Sequence, residues 1–279
     1  MNTIKQLQSS RDPSPPLGAG GLRAMIFAAG LGTRFKPWTD KHPKALALVN
    51  GKSLLQRNIE YLQQYNITDV VVNVHHFADQ IIDAVKKNNG WGSNIIISDE
   101  TNEVLETGGG LLKARKLLES DEPFVTLNVD ILTDLDLNKL LVSHELHKPL
   151  ISLAVTGRVT SRYFLFDENE RLCGWRNTKT GEERGPHLEL RSQSSLHSIA
   201  PEGGGTKPLV QKAYSCVVVF EPQVFSLIKH TGKFSLVDTY LDLAATNLIL
   251  GYDHSGDRLV DVGKPENIAI AEKMFPLIP

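Results

Sequence analysis

Between Met25 and Leu48 the chain reads MIFAAGLGTRFKPWTDKHPKALAL, an order of residue types suited to holding phosphate. The apolar run Met25 to Ala29 breaks at Gly30-Leu31-Gly32, and Arg34, Lys36, Lys41 and Lys44 follow within eleven residues. Glycines let backbone N–H groups approach anionic oxygens, and the cations neutralise them. A basic surface loop would share this composition, so residues elsewhere must decide. Asp130 and Asp261, 131 residues apart, each follow an apolar run that reads as a strand. A strand-end Asp is by itself as readily a cap or turn former. Two of them beside a phosphate loop could instead hold a hard divalent ion, which takes carboxylate oxygens and keeps several waters.

The elements that must position these residues alternate. Ala24 to Ala28, Val70 to Val74, Asn94 to Ile97 and Phe124 to Asn128 read as strands. The β-branched run at 70–74 is typical of a parallel strand covered on both faces. Between them lie helical spacings: one capped by Ser53 with Leu54, Leu55, Ile59 and Leu62 inward, one around Ile81, Ile82 and Val85, and one running from Leu105 through Leu118. Such alternation predicts a doubly wound α/β sheet. Ligands in such sheets bind beyond the carboxyl ends of the strands, where the glycine loop, Asn73 and Asp130 all fall.

The second half changes character. Ile151 to Val155 and Tyr163 to Phe166 read as strands, and Asp167 to Glu170 as a turn into Arg171 to Trp175. Residues 176–212 read as long loops, with Gly203-Gly204-Gly205 as a linker. Tyr214 to Phe220 returns as a strand, Val237 to Leu250 reads as an amphipathic helix, and Arg258 to Asp261 as a short strand before a final helix to Phe275. His75 and His76 read as edge packing rather than as ligands.

Composition excludes several classes. With 41% apolar and 22% charged residues, the 279-residue chain is an ordinary globular one, and its net charge of −2 gives no pull toward nucleic acid or anionic membrane. No window approaches the about 18 apolar residues of a membrane span. Residues 1–23 lack the apolar core of a secretory signal and read as a disordered leader rich in Ser, Pro and Gly. The two cysteines, Cys173 and Cys216, are too few for a disulfide framework and read as small buried hydrophobes in a reducing, cytoplasmic compartment.

The glycine loop fits neither common phosphate fingerprint. A P-loop ends in Gly-Lys-Ser/Thr, where this chain has Gly32-Thr33-Arg34, and a dinucleotide loop needs a third glycine at Phe35. The full string Gly-Leu-Gly-Thr-Arg-x-x-Pro, with Pro43-Lys44 downstream, resembles the signature of the sugar-1-phosphate nucleotidyltransferases. The resemblance continues through Leu105-Glu106-Thr107-Gly108-Gly109-Gly110, Asn128-Val129-Asp130 and Val260-Asp261-Val262-Gly263, in family order from about residue 24 to 275. The last and the glycine-rich strings look closest to the N-acetylmuramate 1-phosphate uridylyltransferase branch.

That resemblance implies a Rossmann-like mixed, mainly parallel sheet with helices on both faces. It implies one domain over residues 24–279, with a nucleotide half (24–135) and a sugar-phosphate half (136–279). The activity implied is Mg2+-dependent synthesis of an NDP-sugar and pyrophosphate from an NTP and a sugar 1-phosphate. UTP with N-acetylmuramate 1-phosphate is the first choice, and a GTP- or CTP-dependent hexose or heptose enzyme, or a non-catalytic regulatory homologue, is the alternative. Arg34 and Lys44 would be catalytic, and Ala28, Ala29, Gly30, Gly32, Thr33, Asn73, Gly108 and Gly109 would bind nucleotide. Asp130 and Asp261 would bind metal, and Glu106 and Asn177 would reach the sugar, in a monomer or small homo-oligomer. Two departures stand out: Val129 replaces the family's usual glycine, and the family's Glu-Lys-Pro acceptor segment is absent, with Trp175-Arg176-Asn177-Thr178 and Tyr214-Ser215 near its place.

Overall fold

The computed structural model describes residues 21–188 and 208–276. Its strands are β1 (Arg23–Phe27), β2 (Asp69–Val74), β3 (Asn94–Asp99), β4 (Phe124–Asn128), β5 (Ile131–Thr133), β6 (Ile151–Thr156), β7 (Arg162–Phe166), β8 (Leu172–Asn177), β9 (Val210–Phe220), β10 (Ile249–Asp253) and β11 (Leu259–Asp261). The longer helices are α1 (Leu54–Gln63), α2 (Ala78–Lys87), α3 (Glu106–Lys113), α4 (Leu137–His147), α5 (Leu236–Ala244) and α6 (Asn267–Met274).

Four of the strands, in the order β4-β1-β2-β3, run parallel, with Phe27 level with Asn73 on one side and Asn128 on the other. The chain steps outward from β1 to β3 and then returns to β4 on the far flank, so a crevice opens where the winding reverses. Residues alternate between two cores: Ala24 and Ile26 join one cluster with Val70, Leu55 and Ile59, while Met25 and Phe27 join the other with Leu111, Phe124 and Tyr240. Both faces are thus covered by helices, which is why the strands read as unbroken apolar runs. Ser53 caps α1 as its position predicts, its hydroxyl accepting from Gln56 N at 3.1 Å.

The sheet continues without a break into the second half. The long strand β9 runs antiparallel to β4 through Val217–Phe220, to β6 on its other side, and to β7 through Val210–Lys212. An irregularity between Tyr214 and Val218 lets it serve these partners, with Cys216 at φ 57°. The β7–β8 hairpin forms as expected, and the two-residue strand Glu183–Arg184 adds to β8. Two second-half expectations are corrected. The helix expected over Val237–Leu250 stops at Ala244, and Ile249–Asp253 is a strand parallel to β6. Helical spacing hid a chain break at Asn247, whose amide donates 3.1 Å to Leu243 O, and Ile249 is buried against an otherwise open strand edge. The stretch 176–212 is not all loop, since its ends belong to β8 and β9, and Gly203–Gly205 lie outside the described residues. Among the described residues no helix is long and apolar enough to cross a membrane.

Behind the sheet, His144 on α4 is 2% exposed, with Nδ1 2.8 Å from Ser152 Oγ and Nε2 3.2 Å from Glu221 Oε1. Burial outweighs the nearby carboxylate and pushes this imidazole down from the ordinary 6.5 to about 4. Between those values the unfolded chain binds the proton and the folded chain does not, so stability rises with pH across this window and is lost as pH falls through it. Urea unfolding should therefore show a loss of up to about 3 kcal/mol between pH 6.5 and 4, beyond that of a His144→Gln variant. Parallel pH profiles of the two proteins would contradict this assignment.

Candidate functional site

The glycine loop begins where β1 ends, and a buried amide holds it there. Asn73, level with Phe27 on the adjacent strand, accepts from Ala28 N at 2.7 Å and Ala29 N at 3.2 Å through Oδ1. Its Nδ2 donates 2.8 Å to Glu100 Oε1, a carboxylate only 1% exposed at the end of β3. Burial raises the Glu100 carboxyl above its ordinary range, with the Asn73 hydrogen bond opposing that shift. Asn73 therefore spends its polar atoms on the protein and sets the position of Ala28 and Ala29. Sequence reading missed Glu100, although a carboxylate at a strand end was the available signal.

Beyond this anchor Gly32 adopts φ 60°, and a Cβ there would meet Thr39 Cγ2 at 2.8 Å. The Thr39 hydroxyl donates 2.9 Å to Gly32 O, closing the loop. Ala29 to Thr33 line one wall of a cavity of about 310 Å³, with Phe27 and Asn73 below them. Glu100, Val104, Leu105, Glu106, Thr107 and Lys233 form the rest of the lining. Glu106, at φ 59°, thus stands on the same cavity as the glycine loop, and Lys233 Nζ lies 3.5 Å from its Oε1.

Gly108 and Gly109 do not line that cavity. A Cβ on Gly108 would fall 2.3 Å from the Phe234 ring, and one on Gly109 would fall 2.1 Å from Gly232 O. Gly108 N donates 2.9 Å to Phe234 O, Phe234 N donates 3.2 Å to Leu105 O, and Leu236 N donates 3.1 Å to Thr107 Oγ1. The small residues are needed so that segment 232–236 can press onto the start of α3, which in turn fixes Leu105, Glu106 and Thr107 on the cavity.

The two aspartates meet across a second short ladder. β11 pairs antiparallel with β5, Asp261 facing Ile131, and Val262 N donates 2.7 Å to Asp130 O. Lys44 Nζ lies 2.5 Å from Asp130 Oδ2, both side chains being less than 15% exposed. Gly263 N donates 2.7 Å to Asp261 Oδ1. A Cβ at Gly263 would come 2.6 Å from that oxygen and 3.0 Å from Arg34 Nη2, so the glycine lets Arg34 and Asp261 share one corner. Each carboxylate keeps one oxygen without a protein partner in these contacts, and no group of three His, Cys, Asp or Glu side chains is gathered among the described residues. Two carboxylates with room for water and phosphate oxygens suit a hard divalent ion.

Val129, 3% exposed, packs in the core cluster with Ala28, Val260 and Val262 rather than on the cavity. His75 and His76 contact the backbone carbonyls of Glu100 and Thr39, in keeping with the packing role expected of them. Lys36 pairs with Asp40 at 3.1 Å on the surface. Asn177 ends β8 with its Oδ1 accepting 3.1 Å from Lys179 N, as a turn former, and is not brought to the cavity. Arg176 beside it is tied to Glu183. Cys173 is buried, whereas Cys216 is half-buried, its thiol pushed up to about 12 chiefly by burial and further by Asp130 and Asp261.

Residues 23–163 match the model of the family described as Nucleotidyl transferase. The chain is 42% identical over 244 residues to the N-acetylmuramate alpha-1-phosphate uridylyltransferase of Neisseria meningitidis serogroup B, covering 87% of this chain and 93% of that protein. It is 44% identical over 110 residues to the enzyme of the same name in Caulobacter vibrioides, covering 38% of this chain and 45% of that protein. In fold it is similar to HddC from Yersinia pseudotuberculosis complexed with GMP-PN, with a TM-score of 0.69 at 23% identity over 91% of this chain and 99% of that one.

The Asn73 amide carries the loop, so Asn73→Ala should leave two backbone N–H groups and the Glu100 carboxyl unsatisfied. Urea unfolding should register a loss of about 2–3 kcal/mol. A loss below about 0.5 kcal/mol would show that Ala28 and Ala29 are held by other means.

Proposed function

We propose that this chain, which belongs to the nucleotidyl transferase family, joins UTP and N-acetylmuramate 1-phosphate into UDP-N-acetylmuramate and pyrophosphate. Enzymes of this family make NDP-sugars from an NTP and a sugar 1-phosphate. The choice of UTP and of N-acetylmuramate 1-phosphate is supported by 42% identity, over most of both chains, to an enzyme named for that reaction. The single observation that carries the reading is that Lys44 pairs with Asp130 while Arg34 and Asp261 both border Gly263, beyond the strand ends.

In the reaction an oxygen of the sugar phosphate attacks the α-phosphorus of UTP. The bond to the β-phosphate breaks, and pyrophosphate leaves with that electron pair. Both partners are anions, so the protein's work is positioning and charge neutralisation. Backbone N–H groups of Gly30 to Thr33, with Gly30 and Gly32 leaving room, would cradle the triphosphate. Arg34 meets the charge growing on the leaving pyrophosphate. Lys44, held at Asp130, would meet the α-phosphate and can follow the charge as the new bond forms. Asp130 and Asp261 would hold Mg2+, which supplies further neutralisation of the phosphate oxygens when bound. Glu106 and Thr107 border the same cavity as the glycine loop, and the acceptor would approach from the β6–β9 side.

Pyrophosphate release should be scored for the four NTPs against a panel of sugar 1-phosphates. UTP with N-acetylmuramate 1-phosphate should be turned over best, and a higher kcat/KM for another pair would replace the substrate assignment. With the best pair, Arg34→Ala and Asp130→Ala should each lower kcat by roughly 1,000-fold or more without loss of fold. Near-wild-type turnover in either variant would remove that residue from the machinery.

A further inference from the structure

Arg158 is a cation without an anion. Its Nη2 donates 2.7 Å to Tyr214 O, its Nε is buried with no hydrogen-bond partner, and no carboxylate among the described residues pairs with it. An uncompensated, half-buried guanidinium is costly, and such sites persist where a ligand supplies the missing charge. The cations on β8 and β9 are spent: Arg176 is tied to Glu183, and Lys212 to Glu170 and Asp253.

The topology brings Arg158 to the reacting end of the sheet. Because β9 runs antiparallel to both β4 and β6, those two strands are parallel to each other. Arg158 therefore follows the carboxyl end of β6 as Asp130 follows that of β4, with β9 alone between them. Two strand spacings amount to roughly 10 Å, within which an arginine side chain and a phosphate group both fit. The loop that carries Arg158 is pinned: Gly157 N donates 2.8 Å to Ser255 Oγ, and His254 N donates 3.0 Å to Val155 O. Beside it, His254 Nε2 lies 2.8 Å from the buried Ser215 Oγ, which fixes the irregular turn of β9 at Tyr214–Cys216.

We propose that Arg158 receives the phosphate of the sugar 1-phosphate. Lys44 and Arg34 lie with the carboxylates on the nucleotide side, and the acceptor brings a second phosphate that needs its own cation. A planar guanidinium that spends only its Nη2 on a protein acceptor and leaves Nη1 without a protein partner among the described residues suits that group. The proposal rests on the reaction assigned above.

The test compares R158Q and R158K with wild type, using whichever sugar 1-phosphate the wild-type enzyme turns over best. R158Q should raise KM for the sugar phosphate at least tenfold and leave KM for the NTP within about twofold, and R158K should recover part of the loss. Inorganic phosphate should compete with the sugar phosphate in the wild type and inhibit R158Q at least tenfold more weakly. Equal KM values for the sugar phosphate in R158Q and wild type would overturn the proposal, as would a KM for the NTP that rises in parallel. Should R158Q not fold, wild-type KM and phosphate inhibition in R158K would overturn it equally. A wild type inactive with every sugar 1-phosphate would instead count against the reaction, and that result is read before any variant is made.

Discussion

The structure depends on bringing two carboxylates together and keeping them together. Asp130 and Asp261 lie 131 residues apart in sequence. The β5–β11 ladder and the 2.7 Å hydrogen bond from Val262 N to Asp130 O fix their backbones side by side. Lys44 offsets one charge at 2.5 Å, in surroundings dry enough for the pair to matter, and Arg34 lies against the other through Gly263. Such a concentration of charge is stable only if its geometry is held from outside. Here β1, β4 and α1 hold it, with Asn58 Nδ2 donating 2.9 Å to Val129 O directly before Asp130.

A second constraint joins the halves of the chain. The glycines at 108 and 109 make space for Phe234 and the Gly232 carbonyl, so second-half residues press on the segment that shapes the cavity beside the glycine loop. Lys233 reaches Glu106 across the same contact. Movement of segment 232–236 would alter the positions of Leu105, Glu106 and Thr107 at once.

Much of the nucleotide half was legible because its information is local. The apolar runs, the Ser53 cap, the glycine loop and the strand-end aspartates declare themselves by spacing, and the structure assembles them as alternating β and α elements. What was not legible depends on register between distant strands. Asn73 was readable as a strand-end polar residue, but only its level pairing with Phe27 shows that its amide serves Ala28 and Ala29. The glycines of α3 were visible, while their true neighbours lie more than 120 residues away in sequence. Arg158 gave no signal at all, since its meaning comes from β6 lying parallel to β4. Ile249 and Leu250, which open the strand Ile249–Asp253, were read as the end of a helix because a helical spacing of apolar residues runs straight through the break at Asn247.

The central claim is that Asp261 and Asp130 act as one cation site completed by the nucleotide. The most direct measurement is calorimetric titration of Mg2+ into protein saturated with a non-hydrolysable UTP analogue, in wild type and in Asp261→Asn. The account predicts that losing this carboxylate weakens Mg2+ binding at least tenfold in the nucleotide-loaded protein while the analogue still binds. Unchanged Mg2+ affinity in Asp261→Asn would contradict it.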